Sequence, residues 1–376
     1  MSGIDVVQIA RIENLIKRRG ITFVQKMLNT REDRSDTLAG IFASYEALGK
    51  HIGTGINEDI LKNAEIKKDK LGKPTIFYNG ETYELSISHD GDYAIAIVSG
   101  KINQIKIEEE FLKLLPKRPK NSNKSTFGRL GVVAGRRGMV GCAKLVANAA
   151  MRAGSGYVYV FTDETSKEIL QVSLVEEIID DKENIFTHKL DAIAMGPGIG
   201  YDDEEFVLKV FSFAAKKNIK MVLDADGLFY LKKFGNIGIK NLTITPHLLE
   251  AARLLDVDST EITENKIECA KQISQKYNTN VIIKSDESII CGKRGECFWN
   301  PTGNNGLSKA GSGDVLTGTI GAFLANGVDA LNATRLGAYF HGLAADYLAA
   351  HISKRSILAS DIIEAYKYVF LEENDA

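Results

Sequence analysis

NPTGNNGLSKAGSGDVLTGTIGAFLANG, residues 300–327, joins a glycine-rich loop to an apolar helical stretch. Gly311, Ser312 and Gly313 let the backbone approach an anion closely. A helix beginning near Asp314 turns its free N–H groups and the positive end of its dipole toward the same place. An acid is a poor neighbour for bound phosphate, so Asp314 reads as a base that takes the proton of an attacking hydroxyl. The competing role is a helix cap. A cap alone leaves the three small residues and the preceding Asn, Gly and Lys cluster without a purpose.

The residues upstream supply the scaffold for such a helix. LGVVAG, YVYVF, DAIAMGPG, MVLDADG, LTITPH and VIIKS are short apolar segments alternating with helical stretches such as CAKLVANAAMRAG. This pattern predicts an α/β domain with a mostly parallel central sheet covered on both faces. Ligands of such sheets gather at the carboxyl ends of the strands. Gly135, Gly138, Gly196 to Gly200, Asp224, Asp226 and Thr245 to His247 fall at those ends. Lys284 closes its strand and supplies a point charge suited to phosphate, or is a surface lysine. His247 reads either as a pocket residue or as a core histidine bonded to backbone. Asp224 and Asp226 suit a magnesium ion held through water, or cap the turn that follows.

Before this domain the pattern differs. Ile9, Ile12, Leu15 and Ile16 recur at helical spacing with Gly20 as a stop, and a second helix is expected from about Leu38 to Ile52. LSIS and DYAIAIV flank His89, Asp90 and Gly91, which predicts a hairpin. The first 101 residues thus read as α+β. The stretch 102–125, ending in LPKRPKNSNKS, reads as a linker, and 126–376 as the large domain. Asp5 and Glu46, an acid from each of two segments, can jointly bind a magnesium ion, and Lys50 lies one helical turn beyond Glu46 on the same side. Without further context that acid and lysine are an exposed helix pair.

The 376 residues, 44% hydrophobic and 26% charged, describe a folded chain of two domains. A net charge of −2 argues against general binding to nucleic acid or an acidic membrane surface. No apolar run approaches bilayer length and no export signal is read, so a cytoplasmic protein is expected. Cys142, Cys269, Cys291 and Cys297 lack C-x-x-C spacing and are expected to be free thiols.

The GSGD motif resembles the signature of ribokinase-like enzymes. Together with FGRLGVVAGRRGMVG, GPGIG, LDADGL, TPHLLE and YFHGLAAD, in that family's order, the large domain is similar to NAD(P)H-hydrate dehydratase. The resemblance implies repair of hydrated NADH or NADPH. ADP or ATP phosphorylates the ring-carbon hydroxyl, and phosphate then leaves. It further implies that Asp314 is the base, and that Gly311, Ser312, Gly313, Lys284, Ser285, Asp286, Glu287 and Ser288 hold the nucleotide. Cys142, Gly198, Gly200 and His247, with Asp314, would line the hydrate pocket. The chain departs from the family where Leu248 and Leu249 replace Pro-Gly, where Cys142 replaces alanine, and where Asp286 and Glu287 follow the lysine. A small-molecule kinase of the same superfamily is the alternative.

GIDVVQIARI, the FA-x-x-EA-x-x-K-x-x-GTG spacing, GKP and SISHDGDYAIAIV resemble holo-acyl-carrier-protein synthase. That resemblance implies transfer of 4'-phosphopantetheine from coenzyme A to acyl carrier protein. Asp5 and Glu46 would bind Mg2+, Lys50 would lie on the phosphate side and His89 near the cofactor. It also implies a trimer-based homo-oligomer with sites between subunits. Tyr45 and Ile41 stand where the family has cations, and the alternative is a trimerisation module that has lost catalysis.

Overall fold

The computed structural model describes residues 2–68, 72–102 and 107–370. The chain divides into two compact units, Met1–Gln104 and Ile105–Ala376.

In the small unit β1 (Gly3–Gln8), β2 (Glu65–Lys68), β3 (Pro74–Tyr78), β4 (Glu81–Asp90) and β5 (Tyr93–Ile102) form an antiparallel sheet in the order β1-β5-β4-β3-β2. Along β1 the side chains alternate. Gly3, Asp5 and Val7 face inward, while Ile4, Val6 and Gln8 face outward. The helix Ser35–Ile52 covers the inner face. A Cβ on Gly3 would lie 2.0 Å from the Ala47 carbonyl oxygen, so strand and helix meet backbone to backbone. The early helix runs Ile9–Arg19 and stops at Gly20, and the hairpin turns at Gly91, as their sequence signals predict.

The large unit contains β6 (Arg129–Val133), β7 (Tyr157–Thr162), β8 (Ile178–Asp181), β9 (Ala192–Met195), β10 (Lys220–Leu223), β11 (Leu242–Ile244), β12 (Asn280–Ile283), β13 (Ile289–Cys291) and β14 (Cys297–Trp299). They form one sheet in the order β14-β13-β12-β11-β10-β9-β6-β7-β8, parallel from β8 through β12. β13 and β14 run antiparallel, so the sheet is mixed and mostly parallel. Neighbouring strand residues feed opposite cores. Val132, Val160, Ala194 and Val222 pack on one face, and Val133, Phe161, Met195 and Leu223 on the other.

The helix Ser312–Ala325 lies buried between the sheet and the helix Val140–Arg152. Its small residues make that position possible: a Cβ on Gly318 would fall 2.1 Å from the Val146 carbonyl oxygen. GSGDVLTGTIGAFLA is thus a packing sequence, beyond the anion site expected at its start.

Two expectations need correcting. Cys291 and Cys297 are not free thiols: they stand opposite each other on β13 and β14, with Cα atoms 4.2 Å apart, and are joined as a disulfide. Their spacing matches no metal or redox motif, and only the hairpin brings them face to face. Part of the expected linker is folded onto the large unit. The helix Glu109–Leu114 buries Phe111, whose ring stacks on Tyr339 at 3.8 Å, while Arg335 pairs with Glu110. Dense flanking charge conceals this short apolar anchor. Residues 103–106 of that stretch lie outside the described residues. Among the described residues no helix is long and apolar enough to cross a membrane.

Candidate functional site

The helix Ser312–Ala325 begins at Gly311, whose φ of +90° favours glycine, and no side chain caps it. Asp314 sits inside the first turn and is not the cap. The Ser312 amide donates to the Lys309 carbonyl at 3.3 Å, and the amides of Gly313 and Asp314 are the first-turn N–H groups left without a backbone acceptor among the described residues. Ser312 Oγ lies 3.2 Å from His341 Nε2, and burial lowers the pKa of that imidazole to about 4, so His341 stays neutral.

Around Asp314 the strand ends deliver the other groups. Asp224, directly after β10, is 2% exposed. It accepts hydrogen bonds from Lys284 Nζ at 2.7 Å and Thr317 Oγ1 at 2.9 Å. Lys284 follows β12, and its part-buried ammonium is held charged by Asp224, with Glu250 and Asp314 adding to the effect. Gly313 leaves room here, since a Cβ would come 3.2 Å from Lys284 Nζ and 3.4 Å from Asp224 Oδ2. Burial, reinforced by the Asp224 charge, pushes Asp314 up to about 6, while a hydrogen bond from Cys142 and the Lys284 charge oppose the shift. Burial and Asp314 push the Cys142 thiol up to about 12, so Cys142 is a donor to the carboxylate and not a nucleophile. A carboxylate poised near 6 is mostly ionised at neutral pH and still basic enough to accept a proton.

Asp224 and Asp226 turn in different directions. Asp226 Oδ2 accepts the Gly200 amide at 2.9 Å and holds the GPGIG loop. Ala225 between them adopts φ 47° and ψ −120°, a strained conformation that costs on the order of 1–3 kcal/mol. Gly198 approaches Cys142, whose Sγ would lie 3.3 Å from a Cβ at that position. Cys142, Gly198, Lys284, Gly313 and Asp314 thus converge, with Gly200 tied in through Asp226.

His247 lies beside Lys284 through an isolated bridge between strand ends. Its Nδ1 accepts the amides of Leu249 and Glu250, and Glu250 Oε2 accepts the His247 amide at 2.8 Å. The ring therefore caps a helix through Nδ1 and presents Nε2–H. Burial and the Lys284 charge lower its pKa. In the turn after Lys284, Ser285 donates to the Glu287 carbonyl and Ser288 to the Ser285 carbonyl. Asp286 points outward, 3.1 Å from Lys266. An acid turned away in this manner does not oppose phosphate at Lys284. Sequence reasoning missed Thr317, Glu250 and His341 as partners. Their only signal was a place within the quoted motifs.

In the small unit Asp5 Oδ1 accepts from Lys50 Nζ at 2.7 Å, and Lys50 also donates to the Ile4 carbonyl. Glu46 adjoins Asp5, and its pKa is raised by burial and by that carboxylate. Asp5 Oδ2 is buried and has no hydrogen-bond partner among the described residues. Two adjoining carboxylates with an orphaned oxygen fit a hard divalent cation. His89 lies elsewhere, its Nε2 3.0 Å from the Asp36 carbonyl oxygen. It lines a cleft of about 1100 Å3 with Lys26, Arg31, Lys68 and Ile41. Asp5, Glu46 and Lys50 do not line that cleft. Tyr45 bonds the carbonyls of Leu28 and Ala64 through its hydroxyl, which makes it a structural tie.

Residues 130–367 match the model of the NAD(P)H-hydrate dehydratase family, and residues 1–98 that of the 4'-phosphopantetheinyl transferase superfamily. The ADP-dependent (S)-NAD(P)H-hydrate dehydratase of Neisseria meningitidis serogroup B is 33% identical over 67% of this chain and 88% of its own length. The bifunctional NAD(P)H-hydrate repair enzyme of Moorella thermoacetica is 32% identical over 69% of this chain and 52% of its own. The chain spans about half the length of the bifunctional relatives of that kind. The crystal structure of ADP/ATP-dependent NAD(P)H-hydrate dehydratase from Bacillus subtilis, co-crystallized with ATP/Mg2+, matches with a TM-score of 0.63 and 27% identity, covering 70% of this chain and 96% of that one.

Proposed function

The chain belongs to the NAD(P)H-hydrate dehydratase family, and on that premise we propose that its large unit dehydrates hydrated NADH or NADPH at the expense of ADP or ATP. The observation that carries the reading is Asp314, poised near 6 beside Asp224 and Lys284, at the uncapped start of a buried helix. The nucleotide's terminal phosphate seats against the loop Gly311 to Gly313 and the amides of Gly313 and Asp314, with Lys284 and the turn Ser285 to Ser288 along it. The hydrate lies against Cys142, Gly198, Gly200 and His247. Asp314 accepts the proton of the ring-carbon hydroxyl as its oxygen attacks phosphorus and the bond to AMP or ADP breaks. Phosphate then leaves with the carbon–oxygen electron pair. Loss of a proton from the neighbouring carbon restores the ring double bond. Mg2+ travelling with the nucleotide would neutralise phosphate charge.

The small unit, in the same reading, transfers 4'-phosphopantetheine from coenzyme A to acyl carrier protein. Asp5 and Glu46 would hold Mg2+, which would draw off charge from the pyrophosphate. Lys50 and His89 would flank the donor. A site whose acids and histidine lie apart in one chain is completed by a neighbouring copy, which favours a trimer. Ile4, Val6, Tyr93 and Ile97, exposed together on the outer face of β1 and β5, supply an apolar surface for it.

Incubation with hydrated NADH and each nucleotide tests the main reading. Recovery of reduced-nicotinamide absorbance with equimolar phosphate release is expected. Accumulation of a stable phosphorylated product would instead identify a small-molecule kinase.

A further inference from the structure

The chain builds the large sheet outward in two directions from β6. β7 and β8 extend one side, and β9 through β12 the other, so the strand order reverses between β6 and β9. Open α/β sheets bind ligands in the crevice beyond the strand ends at such a reversal. A cleft of about 170 Å3 occupies that place, with Val133, Phe161 and Met195 from the strand ends along its wall. Cavities of about 150 Å3 admit an aromatic ring.

Two polar groups on this cleft are unexplained by folding. Tyr230 is 1% exposed and Thr162 3% exposed, and neither hydroxyl has a hydrogen-bond partner among the described residues. Buried hydroxyls are normally paired. The cleft is also continuous with the catalytic cluster. Gly135 and Ile199 line it, Gly135 on the loop that leads into the helix of Cys142 and Ile199 next to Gly198, and the Gly135 amide donates to the Pro197 carbonyl at 2.8 Å. Arg136 stands between the two, lining the cleft while its Nη1 would meet a Cβ on Gly200 at 2.3 Å. From Asp224 after β10 to Thr162 at the end of β7 there are three strand spacings, about 14 Å. A pyrophosphate-linked dinucleotide bridges such a span with one ring at each end.

We propose that the switch-point cleft receives the adenine of the hydrated dinucleotide, with Thr162 and Tyr230 bonding its ring nitrogens and Arg136 its pyrophosphate. This rests on the dehydratase reading of the large unit. It makes Thr162 and Tyr230 specificity residues, remote from the reacting ring.

The test compares hydrated NADH with hydrated reduced nicotinamide mononucleotide, which lacks the adenylate. Thr162→Leu, which fills the cleft, should lower the ratio of kcat/KM for dinucleotide over mononucleotide about tenfold. Tyr230→Phe, which removes one unpaired hydroxyl and no volume, should lower it about threefold without lowering Tm. An unchanged ratio in both variants overturns the proposal. Crystals grown with NADH give a readout independent of turnover. Adenine density in the cleft supports the subsite even if no hydrate is dehydrated, in which case the reaction alone is refuted. Adenine density elsewhere, or no NADH bound, overturns the subsite.

Discussion

Lys284 Nζ lies 2.7 Å from Asp224 Oδ1, and this pair, joined by strand ends 60 residues apart, sets the charge around the proposed base. Asp224 keeps the lysine charged, and its own carboxylate makes Asp314 harder to ionise.

Asp314→Asn is expected to abolish turnover while leaving nucleotide binding within a few-fold of wild type, since the amide keeps the shape and cannot take the proton. Titration calorimetry with ADP and a turnover assay separate the two effects. Wild-type turnover in the variant refutes the base.

The pH dependence follows from the same group. Wild-type kcat/KM should rise as pH passes through about 6, where Asp314 ionises, and level off above it. Its folded pKa is raised above the ordinary carboxylate value. The stability it contributes is therefore complete below about 4 and lost as pH rises through about 6. Asp314→Asn should accordingly stabilise the protein at pH 8 by about 1–3 kcal/mol and change little at pH 4. Equal stabilisation at both pH values, measured by denaturant titration, contradicts this account.

Burial raises Asp314 most and the Asp224 charge adds to it, so Asp224→Asn should move the acidic limb of the activity profile part of the way to lower pH. Lys284→Met leaves Asp224 buried without its cation and should cost about 3–5 kcal/mol. A profile unmoved by the first change, or stability unmoved by the second, would show that the pair is not coupled to Asp314.

Gly313→Val should weaken nucleotide binding by on the order of tenfold or more, because a β-carbon enters the space beside Lys284 and Asp224. Circular dichroism should show the fold intact. Wild-type affinity for ADP in this variant counts against phosphate at Gly313.

In the small unit, Asp5→Ala should stop pantetheine transfer, read by mass spectrometry on acyl carrier protein, without altering assembly. Val6→Asp, on the outer face, should reduce a trimer to monomers in sedimentation and lower transfer with it. A monomeric wild type that still transfers pantetheine would refute the shared site and leave the chemistry standing.

The local chemistry of this chain was legible in its residues. Glycines beside an acid before an apolar helix read as an anion site, alternating apolar segments as a sheet, and Glu46 and Lys50 as one helical turn apart, while Asp5 joins them only through a family resemblance. Such readings are open to sequence because backbone freedom, side-chain periodicity and charge act over a few residues. What lay between distant segments was decided by tertiary structure alone. Thr317 and Lys284 meet on Asp224 only because β10 and β12, with β11 between them, end beside the first turns of the buried helix. Cys291 meets Cys297 because two short strands reverse, and Phe111 is an anchor because Tyr339 lies under it. The poise of Asp314 depends on burial and on a carboxylate ninety residues earlier in the chain. Desolvation and Coulomb interaction depend on distance in space, and distance in space exists only once the sheet has been assembled.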